Sequence, residues 1–403
     1  MDMFKIIWFL IIFVSIVSVE VAGRPAVTGS EEDEELEKQL KLLNKPASKT
    51  IKTEHGDIID CVDIYKQPSL DHPALKNHTI QMEPSAFPEE LRGHGTPLSS
   101  SNLMEVKPRR LTCPRGTVPI PRIQKEDLIR IRSLPKTTKA NTYNPSDNDI
   151  HVTHFADCHI REDPTNHIYG ASAMFSIYNP KIATIYDFSG VSIWIQNFQG
   201  DKYNSIRAGW IVNPNLYGDN NTRLYTRWTV DRDDQTGCYN TLCPGFIQVG
   251  SVPLNQVLNQ PTHGDLQSTL DLLVFKDPKT KNWWLTISKN RILVGYWPSN
   301  LFDVLKDNAQ RIAWGGFAYS PGNEAALEMG SGQFKSNDQE NTCFAGGLQV
   351  IDEFNLYRDP SKFTIDAYSD KPACYGVDYR GNTTGEIGYN VLFGGPGGLK
   401  CGN

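Results

Sequence analysis

Residues 151–160, HVTHFADCHI, gather His151, His154, Cys158 and His159 into one short stretch, and these are residue types that ligate zinc. Their spacing matches no zinc motif and Cys158 is wanted for a disulfide, so no metal is expected. No G-x-S-x-G elbow, H-E-x-x-H helix, phosphate-binding P-loop or G-x-G-x-x-G turn is present, and no cofactor is implied. A different residue stands out in NSIRAGWIVNPNLYG, residues 204–218. Alternation puts Ile206, Ala208, Trp210 and Val212 on one face of a strand and Ser205, Arg207, Gly209 and Ile211 on the other. Arg207 is therefore a permanent charge in mid-strand, beside a glycine-lined stretch, and its position calls for a reason.

The elements that would place these residues are mostly strands. From about His151 onward, GASAMFSIYNP, VSIWIQNF, TRLYTRWTV, GFIQVGSVPL, LQSTLDLLVFKDP, NWWLTIS and ILVGYWP are short β-type runs separated by turn residues. Hairpins are expected at Asp277 to Asn282 and at Lys289-Asn290. One helix is expected in SNLFDVLKDNA, capped by Ser299 or Asn300, with Leu301, Phe302 and Leu305 facing inward. Asn213-Pro214 should end the Arg207 strand. Trp210, Trp228, Trp283, Trp284, Trp297 and Trp314 all fall in strand-like or turn segments. Alternation points Trp283 and Trp284 to opposite faces, so at most one of them should be core. Together these runs read as an all-β protein, a large antiparallel β-sandwich.

A smaller β-rich unit precedes it. Residues 50–130 alternate apolar and polar in short pieces and hold Cys61 and Cys113, which suggests closure by a local bridge. Before them, Leu36, Leu40 and Leu43 fall on one face of a short charged helix that Pro46 ends. Residues 133–149, SLPKTTKANTYNPSDND, have almost no bulky apolar residues and read as a linker open to proteolytic processing.

The whole chain sets the class. Its 403 residues are enough for two domains, and a formal net charge of -6 gives no electrostatic reason to expect a nucleic-acid partner. Met1 to Lys5 carries positive charge, Ile6 to Val19 is apolar, and Ala22 and Gly23 follow. A run this short falls below the roughly 20 residues of a spanning helix and has the layout of a secretory signal cleaved near Gly23. The expectation is a secreted, extracellular protein with no membrane association after cleavage. Eight cysteines agree with an oxidising compartment, and Cys238 and Cys243 make a natural local bridge. Asn77, Asn220 and Asn382 begin glycosylation sequons.

The chain resembles the neprosin family, secreted plant proteins with an N-terminal activation peptide and a C-terminal peptidase domain. The first part of the resemblance lies in LLNKPASKTIKTEHGDIIDCVDIYKQPSLDHPALKNHTIQM and CPRGTVPIPR. The second lies in NSIRAGWIVNPNLYGDNNTRLYTRWT, TGCYNTLCPGFIQ, VGYWPSNLF, IAWGGFAYSP and EMGSGQF. It implies a signal peptide over 1–23, an activation peptide over 24–132, a linker over 133–149, and a peptidase-like β-sandwich over 150–403. Active members look like glutamic peptidases that cleave after proline, using one carboxylate as base and another to polarise the scissile carbonyl.

In the family one glutamate precedes A-G-W and the other follows W-G-G. Here those positions hold Arg207 and Phe317. Arginine is never a base in a protein and phenylalanine carries no proton, so the resemblance implies a lost catalytic pair and a peptidase fold kept for binding. Trp210, Tyr217, Trp228 and Trp314 are the candidates to line the substrate groove. The expected partners are a proline-containing peptide or cell-wall protein, and the chain's own activation peptide acting as an intramolecular inhibitor. The alternatives are an endopeptidase with a relocated acid, drawn from Glu324, Glu328, Asp231, Asp233 and Asp234, or a carbohydrate-binding wall glycoprotein. The family also implies bridges Cys238–Cys243 and Cys374–Cys401, with Cys61–Cys113 in the activation peptide. That leaves Cys158 and Cys343 to bridge each other.

Overall fold

The computed structural model describes residues 29–89, 103–132, 151–231, 236–258, 266–321, 326–335, 341–383 and 387–398. The signal segment, the linker, Asp233, Asp234, Glu324 and Cys401 lie outside the described residues. The N-terminal part contains α1 (Gly29–Leu43), β1 (Ala47–Lys52), β2 (Ile58–Asp63), β3 (Leu103–Glu105), β4 (Thr117–Pro121) and α2 (Lys125–Arg132). The rest begins with β5 (His151–Ile160), β6 (Gly170–Ser176), β7 (Phe188–Gln199), β8 (Lys202–Val212), the single turn α3 (Pro214–Tyr217), β9 (Arg223–Thr229) and β10 (Cys238–Tyr239). It continues through β11 (Ile247–Gln248), β12 (Gln267–Lys276), β13 (Trp283–Ile287), β14 (Ile292–Trp297) and β15 (Arg311–Pro321). The last strands are β16 (Cys343–Ile351), β17 (Tyr357–Arg358), β18 (Ile365–Ser369), β19 (Gly376–Thr383) and β20 (Gly388–Gly394).

Among the described residues one sheet has seven strands, in the order β10-β9-β8-β7-β15-β5-β18. The other runs β11-β14-β13-β12-β6-β16-β20-β19, with β17 beside β16 and β3 beside β12. One hydrophobic core joins them, taking Ile193, Ile206, Trp210 and Trp314 from the first sheet and Phe175, Val274, Trp297 and Val391 from the second. This is the antiparallel β-sandwich that the alternating runs predict. Both expected hairpins are present, β12 with β13 and β13 with β14. Asn213 ends β8 and caps α3, its side chain accepting from Leu216 N, and Gly218 closes the turn at φ 79°.

The N-terminal part packs against this sandwich. Leu36 is buried, and with Leu40 and Leu43 it packs against Ile123, Leu128 and Leu242. Phe87 lies 5.7 Å from Phe275, while the Tyr296 hydroxyl accepts from Gln81 N at 2.9 Å and bonds His78 Nε2 at 2.8 Å. β3 adds to β12 in parallel register. These contacts cover the outer face of the larger sheet, which corrects the reading of its tryptophans. Trp283 and Trp284 do point to opposite faces, yet both are fully buried, because each face has a cover.

The helix expected in SNLFDVLKDNA is not formed. Only a 3-10 turn at Ser299–Leu301 exists, and Phe302 is extended. Asn204 Oδ1 accepts from the backbone N–H groups of Asp303, Val304 and Leu305, so a buried side chain takes the donors that a helix would need.

Cys61–Cys113 and Cys238–Cys243 are bridged, and Cys374 is disulfide-bonded. Cys158 and Cys343 are not bridged; both are buried free thiols. Cys158 stands in the smaller sheet with Trp314 and Ala367 on its flanks. Cys343 stands in the larger one, where its sulfur accepts from Ser176 Oγ at 3.4 Å. Being left over from other pairs does not bring two thiols within bonding geometry. Asn77, Asn220 and Asn382 are all exposed. No helix among the described residues is long and apolar enough to cross a membrane.

Candidate active site

Arg207 occupies the middle of β8, and its side chain shares the face of the smaller sheet turned away from the core. Its rung of the ladder reads Tyr239, Arg227, Arg207, Trp194, Ala313 and His159 from β10 to β5. Two residues along β8, the next rung reads Tyr225, Gly209, Ser192, Gly315 and Asp157. The one after contains Arg223, Ile211, Gly190, Phe317 and Phe155. Arg207 and Phe317 therefore share one face, on strands that flank β7 and two rungs apart. A pair of carboxylates at these positions would look across a floor made of Gly209, Ser192 and Gly315.

In this chain that floor is filled. Phe317 meets Trp194 at 5.9 Å, Tyr225 at 6.1 Å and Phe188 at 6.2 Å, each edge to face. Phe188 stacks on Tyr319 at 4.6 Å, and Trp194 meets Phe155 at 6.4 Å. With Ile211 and Ala313 they form a second hydrophobic cluster on the face opposite the core. A Cβ added to Gly190 would stand 2.9 Å from Phe317 Cζ, so the ring lies over the bare backbone of β7. Phe317 itself is 4% exposed. Ser192 is fully buried, and its hydroxyl bonds the Tyr225 hydroxyl. Burial pushes the Tyr225 phenol well above its ordinary range, against the opposing pull of Arg207.

The same alternation corrects three groove candidates. Trp210, Trp228 and Trp314 lie in the core between the sheets, on the opposite face from Arg207. Trp210 Nε1 donates to Ser176 O at 2.9 Å and Trp314 Nε1 to Ser172 O at 3.2 Å, so both tie the two sheets together. Tyr217 does belong to the outer cluster, under Arg223, and accepts from Asn240 Nδ2 at 3.0 Å. The aromatic residues on the floor are instead Phe155, Phe188, Trp194, Tyr225, Tyr239, Phe317 and Tyr319. Strand parity relative to Arg207 could have identified them.

Of the substitute acids, Glu328 accepts from Lys181 N at 3.0 Å, and Asp231 accepts from Thr236 N at 2.8 Å. A carboxylate does stand on the floor, at a position sequence reasoning missed. Asp157, opposite Gly315, bonds His159 Nδ1 at 2.7 Å and lies 3.7 Å from Arg311. The stretch HVTHFADCHI thus splits by parity, His154 and Cys158 facing the core side and Asp157 and His159 the outer face. Among the described residues no group of three or more His, Cys, Asp or Glu could hold a metal ion.

The Neprosin family model matches residues 186–396, and the Neprosin activation peptide model matches residues 50–167. The chain belongs to the neprosin family. The activation-peptide match runs through β5, which the neprosin fold of this chain places inside the smaller sheet. Among solved structures it is similar to scytalido-glutamic peptidase with a transition state analog inhibitor, at 7% identity and TM-score 0.34, covering 61% of this chain and 99% of that one. It is also similar to SCP-B, a member of the Eqolisin family of peptidases in complex with the tripeptide Ala-Ile-His, at 8% identity and TM-score 0.30, covering 60% and 98%.

Proposed function

We propose that this neprosin-family chain binds a proline-containing peptide or wall protein on the outer face of its smaller sheet and does not cleave it. The observation that carries the reading is the seat of Phe317. Its ring occupies the family's second acid position and packs against Phe188, Trp194 and Tyr225, where an attacking water and a polarised carbonyl would need room. Arg207 at the other position is already protonated and cannot take a proton, and Phe317 has none to give, so neither half of the acid–base pair is present. The reading includes a secreted precursor, with its signal over residues 1–23, processing in the linker and glycans on Asn77, Asn220 and Asn382. The activation peptide acts in it as an intramolecular inhibitor of binding.

A second reading has one observation in its favour. Asp157 and His159 form a hydrogen-bonded pair on the same floor, so a relocated acid and base could serve an endopeptidase. The test is equilibrium binding of the secreted protein to a proline-rich peptide, with wall polysaccharide in parallel and the recovered peptide weighed by mass spectrometry. Retention of an intact peptide supports the proposal. Shortened peptide moves the chain to the second reading, and retention on polysaccharide alone makes it a carbohydrate-binding glycoprotein.

A further inference from the structure

The N-terminal part, residues 29–89 and 103–132, shares its apolar core with the sandwich. Leu75 is buried in the same hydrophobic cluster as Phe246, Trp297 and Leu301, and Val62, Ile64, Val118 and Ile120 pack with Val249. Its backbone also pairs with the sandwich at separate places. Beside β3 on β12, Val106 N donates to Thr269 O at 2.8 Å, and Leu111 N donates to Ser251 O at 2.8 Å. Glu89 N donates to Asn355 O at 3.0 Å, while Tyr357 N donates back to Glu89 O at 3.1 Å.

The polar groups along this seam are buried and paired across it. Gln67 and Gln248 are both buried; Gln67 Oε1 accepts from Gln248 N at 2.9 Å and its Nε2 donates to Gln248 O at 3.1 Å. Asp277, fully buried, accepts from Ser85 N, from Ser85 Oγ at 3.0 Å and from Gln81 Nε2 at 3.2 Å. Arg223, also buried, is shared between Asp219 of the sandwich and Asp57 of the N-terminal part, whose Oδ2 it meets at 3.0 Å.

We propose that the outer face of the larger sheet is the permanent seat of the N-terminal part, so that a cut in residues 133–149 leaves a protein of two chains held together without a covalent bond. The N-terminal part has only two cysteines, Cys61 and Cys113, and they bridge each other, so the connecting chain is its only covalent tie to the sandwich. An apolar core continuous across a seam is characteristic of an obligate interface, and strand addition contributes main-chain bonds to it. Departure would uncover Phe275 and Tyr296 together and take from Asp277 and Arg223 partners that they hold in a buried setting. In the processed protein this face is therefore closed to other ligands. The inference does not depend on what the smaller sheet binds or on whether it cleaves.

The test uses the full chain with the recognition sequence of a site-specific endoprotease inserted among residues 133–149. After complete cutting, shown on a denaturing gel, gel filtration at about 1 μM should return both pieces in one peak at the position of the uncut chain, which requires a Kd well below that concentration. Separation of the pieces overturns the proposal, whether the sandwich then stays in solution or precipitates. Gln67→Ala, Leu75→Ala and Ser85→Ala combined remove three of the anchors. Once cut, this variant should part into its pieces at a lower urea concentration than the natural sequence does, and parting at the same concentration overturns the seat defined by these residues. Circular dichroism of the uncut variant checks its folding, and if it is misfolded Ser85→Ala alone carries the same comparison.

Discussion

Phe317 and Trp194 meet edge to face at 5.9 Å, on neighbouring strands of the smaller sheet, over the floor that the proposed function takes as the lost catalytic centre. The interlocked Phe317 ring leaves no room for a water molecule. Introducing a carboxylate there is therefore costly. Phe317→Glu should destabilise the chain by at least about 3 kcal/mol, the scale of deleting a buried aromatic ring, with desolvation of the new acid added. Urea unfolding of the single variant measures it. A loss below about 1 kcal/mol would mean that the cluster gives way easily.

Asn204 offers a second check on the fold. Its side-chain oxygen takes three consecutive backbone donors in the loop after β14. Asn204→Ala should cost about 3 kcal/mol, since donors left buried without a partner lose their hydration and gain nothing in return. Chemical denaturation against the natural chain gives the value directly.

The two free cysteines predict a thiol count. Burial pushes the Cys158 thiol well above its ordinary range, and the Asp157 charge adds to it, while burial moves the Cys343 thiol up to about 12. Neither should react with a disulfide reagent at pH 8 in the native protein, because the thiolate is the reactive form. Unfolding should release both. Peptide mapping under non-reducing conditions that recovers Cys158 bridged to Cys343 would contradict this.

Asp271 sets a pH dependence where β3 of the activation peptide meets β12. Burial, then the charge of Glu105 on β3, raises its carboxyl from 3.8 to about 7, with Lys289 opposing. A raised folded pKa contributes stability that is present below the unfolded value of 3.8 and lost as pH rises through about 7. Thermal unfolding followed from pH 4 to pH 7.5 should therefore show stability falling over this window. Asp271→Asn should flatten that slope, and an unchanged slope would assign it to other groups.

Much of the fold was legible because it rests on local pattern. Period-two runs and turn residues mark the strands, and Asn213-Pro214 marks the end of β8. The face of each side chain was legible too. Alternation over residues 204–212 already separates Trp210 from Arg207, and assigning Trp210, Trp228 and Trp314 to the groove overlooks that parity. What could not be read from sequence is contact between distant segments. Nothing near Asn204 announces that it will hold residues 303–305 and displace a helix. Nothing near Trp284 reveals that Tyr296 and the activation peptide will cover it. Asp57 and Arg223 become partners only through the way the activation peptide lies on the sandwich.

The most direct test of the central claim is hydrolysis of a proline-containing reporter peptide by the acid-treated full chain at low and neutral pH, with its thermal transition confirming that it is folded. The account predicts no turnover above buffer at either pH, with the reporter recovered at full length. Cleavage after proline that disappears in Asp157→Asn would contradict it and place a working acid on the floor beside Phe317.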